Sequence, residues 1–472
     1  MWKDRIVPTL GWRRDKSRSV NNVPVPLRAD GYLNTDYLDI FPNTWIETQG
    51  PTNTKGIVVR PFSGWGAIER RAEAGNKMAD ILRTVRFHYN ESDSFQPAPA
   101  AYNLFGELLP DPTGSGKDFG FSFSALDGKL YVRFNKYETL QNAARNGSTA
   151  VIGTRPIRLD FDASGDASGF GSAGGDNFDL EDTAYTWVTT IHPTWTLAQV
   201  TTEVYRIMGV TQEYVNGLKN RALSDVNDVQ SKGTEIEIFY NPTRYWTVKG
   251  TITQQKAVDT SISPNIARYI AARMPTWTTV RIPTDRLPDG TQLAGAGQLW
   301  WETGLPGATG TNIPRNFYTV NVDAPYKLAV TNSGKPRPQT REWRANLTTN
   351  YRFAGIAGDH RWLKNLSMGG TVRWEDEAVV GFYGQAPEAD GAIRSLDGGR
   401  PIFDKSRFYA DFMMSYNLKL FNDRVGCRLQ LNVRNALENG RLQAVSYNPD
   451  GTPWNFRIID PRQFILTATF DL

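Results

Sequence analysis

The chain ends on RQFILTATFDL, where Phe464, Leu466, Ala468, Phe470 and Leu472 fall on one parity and Ile465, Thr467, Thr469 and Asp471 on the other. The same period of two recurs upstream. In DRVGCRLQLNVRN, Val425, Cys427, Leu429, Leu431 and Val433 oppose Arg424, Arg428, Gln430, Asn432 and Arg434. In REWRANLTTNYRF, Trp343, Ala345, Leu347, Tyr351 and Phe353 oppose Glu342, Arg344, Asn346, Asn350 and Arg352. SRFYADFMMSYNLKLF behaves alike, as do segments at 366–374, 236–240, 246–252, 130–134, 119–123, 85–89 and 6–12. Alternation over so many segments predicts β-strands, because successive side chains of a strand point to opposite faces. Counting TNTKGIVVRPF, there are twelve.

Alternation alone does not choose between a soluble sandwich and a membrane barrel, but two features do. The apolar parity runs for about nine to thirteen residues per strand, close to the ~9–11 of a bilayer crossing and longer than the ~5–6 of ordinary strands. The connections also alternate in length. Tight turns are predicted at Asp127-Gly128, Asn241–Arg244 and Asn422-Asp423, with somewhat longer ones near 64–79 and 355–362. Between them lie long connections at about 20–51, 97–116, 143–231, 258–340, 381–405 and 436–461. Short periplasmic turns alternating with long external loops mark an outer-membrane barrel. The expected fold is therefore all-β, an antiparallel transmembrane β-barrel whose long loops carry short helices. PNIARYIAARM and TLAQVTTEVYRIM have helical spacing, the second with Thr196 placed to cap it.

Composition narrows the chemistry. Among 472 residues, 53 Lys and Arg against 49 Asp and Glu give +4, too balanced to indicate a nucleic-acid partner. Mean hydropathy is −0.46, and no apolar run approaches the ~18 residues of a membrane helix, a test that alternating strands evade. Cys427 is the single cysteine, and the three histidines (His88, His192, His360) are far apart, so neither a disulfide nor a resident metal is expected. No GxSxG, HExxH or phosphate loop occurs, and neither an enzyme nor a cofactor is predicted. Parity sends Arg344, Arg352, Arg373, Arg428, Arg434, Glu235, Glu237, Glu342 and Glu375 to the inner face. Of these, Arg344, Arg373, Arg428 and Arg434 are candidate ligand contacts; the plainer role is to solvate a lumen and brace what fills it. Trp187, Trp195, Trp300 and Trp301, all in long loops, could stack on a ligand or pack the loops together. Asp160, Asp162, Ser164 and Gly165 match the start of a calcium loop, but Gly171 stands where its bidentate carboxylate belongs, favouring a flexible acidic loop.

At this point a family resemblance can be stated. KGTEIEIFYNPTRYWTVKGTITQQKA (Lys232–Ala257) looks like the hairpin of TonB-dependent outer-membrane receptors, in which a KGxE strand meets an NPT turn. RLQLNVRNALEN resembles their penultimate strand, with Asn432 and Asn435 matching its two asparagines. PRQFILTATFDL resembles their closing strand, although that strand usually ends on Phe, whereas here Leu472 is last and Phe470 lies two before it. DGYLNTDYLD, FHYNESDSFQPA and FGFSFSALDGKLYVRFNKYETLQ look like the siderophore-receptor-like branch. The resemblance implies that residues 1–472 are the C-terminal part of a receptor barrel, its last twelve strands of about 22. The plug domain, TonB box and signal peptide would then lie outside this sequence, and Met1 would not be the start of the intact receptor. The implied function is active import across the cell outer membrane of a scarce bulky ligand, a ferric siderophore first. The implied partners are outer-membrane lipid, the TonB complex (through the plug), the transported ligand and the barrel-assembly machinery. The alternatives are a passive or enzymatic twelve-stranded barrel and a surface glycan-binding β-protein. An open sheet in lipid would leave unpaired backbone at both edges, at several kcal/mol per group, so further strands are expected to pair there unless these twelve close on themselves.

Overall fold

A strand whose alternate residues are apolar can bury them only if its neighbours keep the same parity, so register decides whether twelve such strands make one surface. The computed structural model describes residues 5–19, 28, 32, 34, 45–145, 152–161, 179–218, 221–305, 308–421 and 424–471. Its strands are β1 (Ile6–Ser19), β2 (Ile46–Val59), β3 (Arg86–Phe95), β4 (Thr113–Ala125), β5 (Leu130–Ala144), β6 (Asn227–Thr243), β7 (Trp246–Thr260) and β8 (Trp343–Arg352). These are followed by β9 (Leu366–Glu375), β10 (Val379–Gly384), β11 (Leu396–Phe403), β12 (Arg407–Leu420), β13 (Val425–Arg434), β14 (Arg441–Tyr447), β15 (Pro453–Ile459) and β16 (Gln463–Asp471). Twelve form one antiparallel sheet in the order β1-β2-β3-β4-β5-β6-β7-β8-β9-β12-β13-β16. They coincide with the twelve read from alternation; short and long connections alternate from β4 onward, whereas the β2–β3 connection (60–85) is longer than the β3–β4 connection (96–112). The predicted turn at Asn422-Asp423 and the terminal Leu472 lie outside the described residues. Among the described residues β1 pairs only with β2 and β16 only with β13, so these two strands are the edges of the sheet.

The register keeps the parity. A single row of partners runs Ile6, Val59, Phe87, Phe121, Phe134, Ile236, Ile252, Ala345, Trp374, Phe408 across ten strands. It starts at the short-turn end of β1 and finishes at the long-loop end of β12. That stagger is the geometry of strands tilted against a common axis. Two glycines allow close approach within the sheet: a Cβ on Gly50 would collide with the Phe95 ring, and one on Gly233 with Tyr137.

Two elements differ from the sequence reading. The turn expected near 64–79 holds two helices, α1 (Gly66–Glu73) and α2 (Lys77–Thr84), the second capped by Asn76 accepting from the Ala79 N–H. The long connections at 381–405 and 436–461 hold the hairpins β10–β11 and β14–β15, which pair outside the main sheet. β10 and β11 are short and interrupted by glycine and proline (LDGGRPIF, for one), and β14 and β15 are only seven residues each.

The enclosed hydrophobic core lies in the loops, not in the sheet. Helices α3 (Leu180–Ile191), α4 (Leu197–Met208), α5 (Gln212–Leu218) and α6 (Pro264–Thr279) surround it. Both predicted helices are present, and Thr196 forms a reciprocal capping box with Gln199. Tyr269, Arg273 and Trp277, one turn apart on α6, converge on the buried Asp160 carboxylate, at 2.6 Å for the tyrosine hydroxyl and 2.9 Å for the indole N–H. Arg273 also donates to the Met208 carbonyl at the end of α4, at 2.8 Å. Of the two aspartates in the calcium-like stretch, Asp160 has its oxygens taken up by protein donors, while Asp162 lies outside the described residues. The first turn of α6 is held by Asp225, which accepts from the backbone of Asn265 and Ile266 at 3.1 and 3.2 Å. Burial pushes the Asp225 carboxyl above the usual carboxylate range, although Asn265, Val226 and Ile266 all donate to it.

Two outcomes follow from these anchors. Arg273→Ala leaves Asp160 buried and unpaired, a loss of about 3–5 kcal/mol. Hydrogen exchange will accelerate in α4 and α6 while β6 and β7 stay protected; equal protection throughout would contradict the anchoring role. For Asp225 a raised native pKa means its charged form opposes folding, a penalty absent below the unfolded pKa and complete above the folded one. The stability difference between Asp225→Asn and wild type therefore moves toward the variant as pH rises from about 3.5 to about 7, measured by urea titration of tryptophan fluorescence.

Candidate functional site

The face opposite the apolar rows is polar, and the same register assembles it. One row runs His88, Gly120, Asn135, Glu235, Thr253, Arg344, Glu375, Arg407. All nine charged residues assigned inward by parity sit on this face or at its rim. His88 lies 3.0 Å from the Asn135 side-chain oxygen and 3.7 Å from Asp118.

Between β8, β9, β12 and β13 the polar face holds a cleft of about 450 Å³ bordered by Asn350, Thr371, Asp411, Gln430, Asn432 and Arg434. Asp411 is its pivot. It accepts from Arg373 at 3.2 Å and from the Asn435 backbone N–H at 2.9 Å. The Arg373 guanidinium also stands over the Tyr409 ring, 5.5 Å from its centre. Of the four arginines singled out, only Arg434 lines this cleft; Arg373 stands beside it, tied to its Asp411. Arg344 is in register with Glu375, and Arg428 with Asn417 and Thr469, farther along the same face. Among the described residues Arg344, Arg428 and Arg434 form no ion pair, and neither do Glu235 and Glu342 on the same face.

The two signature asparagines have local tasks. Asn432 accepts from Gln430 at 2.9 Å. Asn435 turns the chain out of β13 at φ 49° and donates its amide to the Asp460 carbonyl at 3.2 Å. Asparagine tolerates that left-handed conformation better than a residue with an apolar Cβ substituent. Phe470 pairs with Cys427 on the apolar face.

The four tryptophans separate. Trp187, Trp300 and Trp301 are buried in the loop core, with Trp301 stacked on Trp277 at 6.3 Å. Packing is the role their positions give them, and none presents a face for a ligand. Trp195 remains exposed on one side and stacks on His192, centroids 3.8 Å apart.

Sequence reasoning missed a second polar cluster, where the two hairpins meet the long-loop ends of β8, β9 and β12. Buried Asp404 accepts from Arg341, from Arg407 at 2.9 Å, from Gln443 at 3.1 Å and from the Ala378 N–H at 2.9 Å. Gln443 in turn receives both arms of Arg457 at 3.2 and 2.9 Å, and Arg457 reaches the Tyr409 hydroxyl at 3.2 Å. A continuous polar path therefore connects the hairpins, through Tyr409 and Arg373, to Asp411 in the cleft. Only the parity of Arg407 and Tyr409 on β12 hinted at it.

No family model matches the chain, and no curated protein matches its sequence. Solved structures do. The chain is similar to the ferripyoverdine receptor of the outer membrane of Pseudomonas aeruginosa, at 12% identity and TM-score 0.41, over 91% of this chain and 34% of that one. It is similar to the ferric-catecholate import receptor Fiu of E. coli K12 at 14% and 0.40, over 98% and 42%. It is also similar to the siderophore receptor PiuA of Acinetobacter baumannii at 11% and 0.44, over 99% and 40%. The chain spans about a third to two fifths of these structures' length. At such identities and scores nothing about site or ligand transfers from them.

The φ of Asn435 sets a test. Asn435→Ala will lose about 1–2 kcal/mol from the left-handed strain alone, whereas Asn435→Gly, lacking only the Asp460 contact, will lose less. Urea unfolding ranks the pair, and an alanine variant as stable as the glycine one would remove the strain argument.

Proposed function

We propose that this chain is the membrane-spanning barrel portion of an outer-membrane receptor. In this reading the intact protein imports a scarce, bulky ligand, with a ferric siderophore the leading candidate. TonB would supply the energy through a plug, and the barrel-assembly machinery would insert the strands. The observation that carries the reading is the bounded apolar band on one face of the sheet. Leu466, Leu347 and Phe121 lie on it, 73%, 46% and 38% exposed, an arrangement that water disfavours and lipid rewards. The band has edges. Toward the short turns it carries Tyr240, Trp246 and Tyr351, the last two in edge contact at 6.1 Å. Toward the long loops it carries Trp12, Trp343 and Trp374. Aromatic girdles of this kind sit at membrane–water interfaces. Eight residues separate Trp343 from Tyr351, roughly 27 Å along a strand, or about 21 Å once tilted by ~40°, near the ~25 Å band of outer-membrane barrels.

Beyond the band the same parity turns ionic. Lys55, Glu91, Lys117, Glu138, Lys232 and Lys256 form one register row across β2 to β7, with ion pairs of 3.5 Å between Lys117 and Glu91 and 3.0 Å between Lys232 and Glu138. Strands that continue past the apolar band in this way project from a bilayer on the long-loop side. The lumen assignment is supported by the opposite face, whose arginines without ion pairs suit an anionic cargo.

Adjacent substitutions separate lipid from lumen. Leu347→Arg will destabilise the folded state in vesicles by roughly 2–4 kcal/mol, and Thr348→Arg by well under half of that. Urea titration and heat-dependent gel migration provide the measure. If the purified chain stays monomeric and folded without detergent or lipid, the barrel reading is lost. If it folds in detergent but no ferric hydroxamate or catecholate quenches its tryptophan emission, the siderophore assignment alone is lost.

A further inference from the structure

Where hairpins β10–β11 and β14–β15 meet above the sheet, they enclose a cavity of about 200 Å³ that none of the foregoing uses. Arg341, Arg407 and Arg457 line it, and Val380 and Val445 contribute apolar wall. Three guanidinium groups around so small a space repel one another unless anions answer them, and the protein answers only in part. Asp404 is saturated by four donors, and Glu375 is more distant, 3.4 Å from Arg341 and 3.8 Å from Arg407. The planar fork of Arg457 is turned onto a neutral amide oxygen, that of Gln443, and among the described residues no carboxylate contacts it. The Arg407 Nε–H is buried without a partner. Cations thus outnumber carboxylates three to two, with one donor unused and one fork held by a weak acceptor.

We propose that this cavity is a binding site for an oxyanion, a phosphate or carboxylate group that takes the unused Arg407 donor and the Arg457 fork. Bidentate recognition by a guanidinium is strongest for these groups. The site stands independently of what the receptor imports. The oxyanion has two possible sources, a free solute or the phosphorylated headgroup of an external-leaflet lipid.

The test uses the whole chain in detergent and in vesicles. Phenylglyoxal modification of arginines is mapped by mass spectrometry, alone and with inorganic phosphate or acetate. Protection of Arg457 by at least threefold in detergent identifies a free oxyanion; protection only in vesicles containing a phosphorylated lipid identifies the headgroup. No protection in either setting overturns the proposal. Titration calorimetry with inorganic phosphate then compares Arg457→Gln with Arg457→Lys, using heat-dependent gel migration to verify folding. Where free phosphate binds, the glutamine variant will weaken it tenfold or more and lysine will recover part of the loss. Equal binding by a folded Arg457→Gln protein would also overturn the proposal.

Discussion

The rest of the structure depends on the backbone ladder of the twelve-stranded sheet. In the membrane setting proposed above, a peptide N–H or C=O has no water to fall back on, so each must be answered by the neighbouring strand. That requirement fixes the register, and the register sorts the side chains. Ile6, Val59, Phe87 and their partners share one surface because no strand between them slips by a single residue. One slip would send Leu347 and Val372 to the polar face and Arg373 and Asn346 into the band. The stagger of the same rows sets the tilt of the strands.

The polar face is organised by fewer and more local contacts. Asp411 holds both Arg373 and the backbone of Asn435, so one carboxylate links a strand interior to the exit of the next strand. Tyr409 extends that link to the hairpin cluster around Asp404. In this way two hairpins outside the main sheet are tied to the cleft by hydrogen bonds and by the stacking of Arg373 on Tyr409.

Much of this was legible in the sequence because strand geometry writes itself at a period of two. All twelve sheet strands and the placement of Arg344, Arg373, Arg428 and Arg434 on the face opposite the apolar rows could be read directly. So could α4 and α6, whose ends carry Thr196 and Pro264. What stayed hidden depended on partners distant in sequence. Asp160 matched a calcium pattern locally, yet its partners lie on α6, 109 to 117 residues away. Nothing near Trp187 or Trp300 announces that α3 to α6 will close around them. Glycine and proline interrupt β10 and β11, and the alternation of Trp454, Phe456 and Ile458 on β15 spans only seven residues, so the arginine-lined cavity between the two hairpins was hidden with them.

The placement of the enclosed core in the loops has a thermodynamic consequence. The loop module is held by the withdrawal of apolar surface from water, so it carries a large heat capacity of unfolding and weakens on cooling. The sheet in a bilayer exchanges lipid contacts for lipid contacts and gains little from that source. The two halves of one chain therefore obey different stability curves. Cold or mild denaturant should loosen the loop module first and leave the strand ladder intact, so the chain would have two melting events with different curvature.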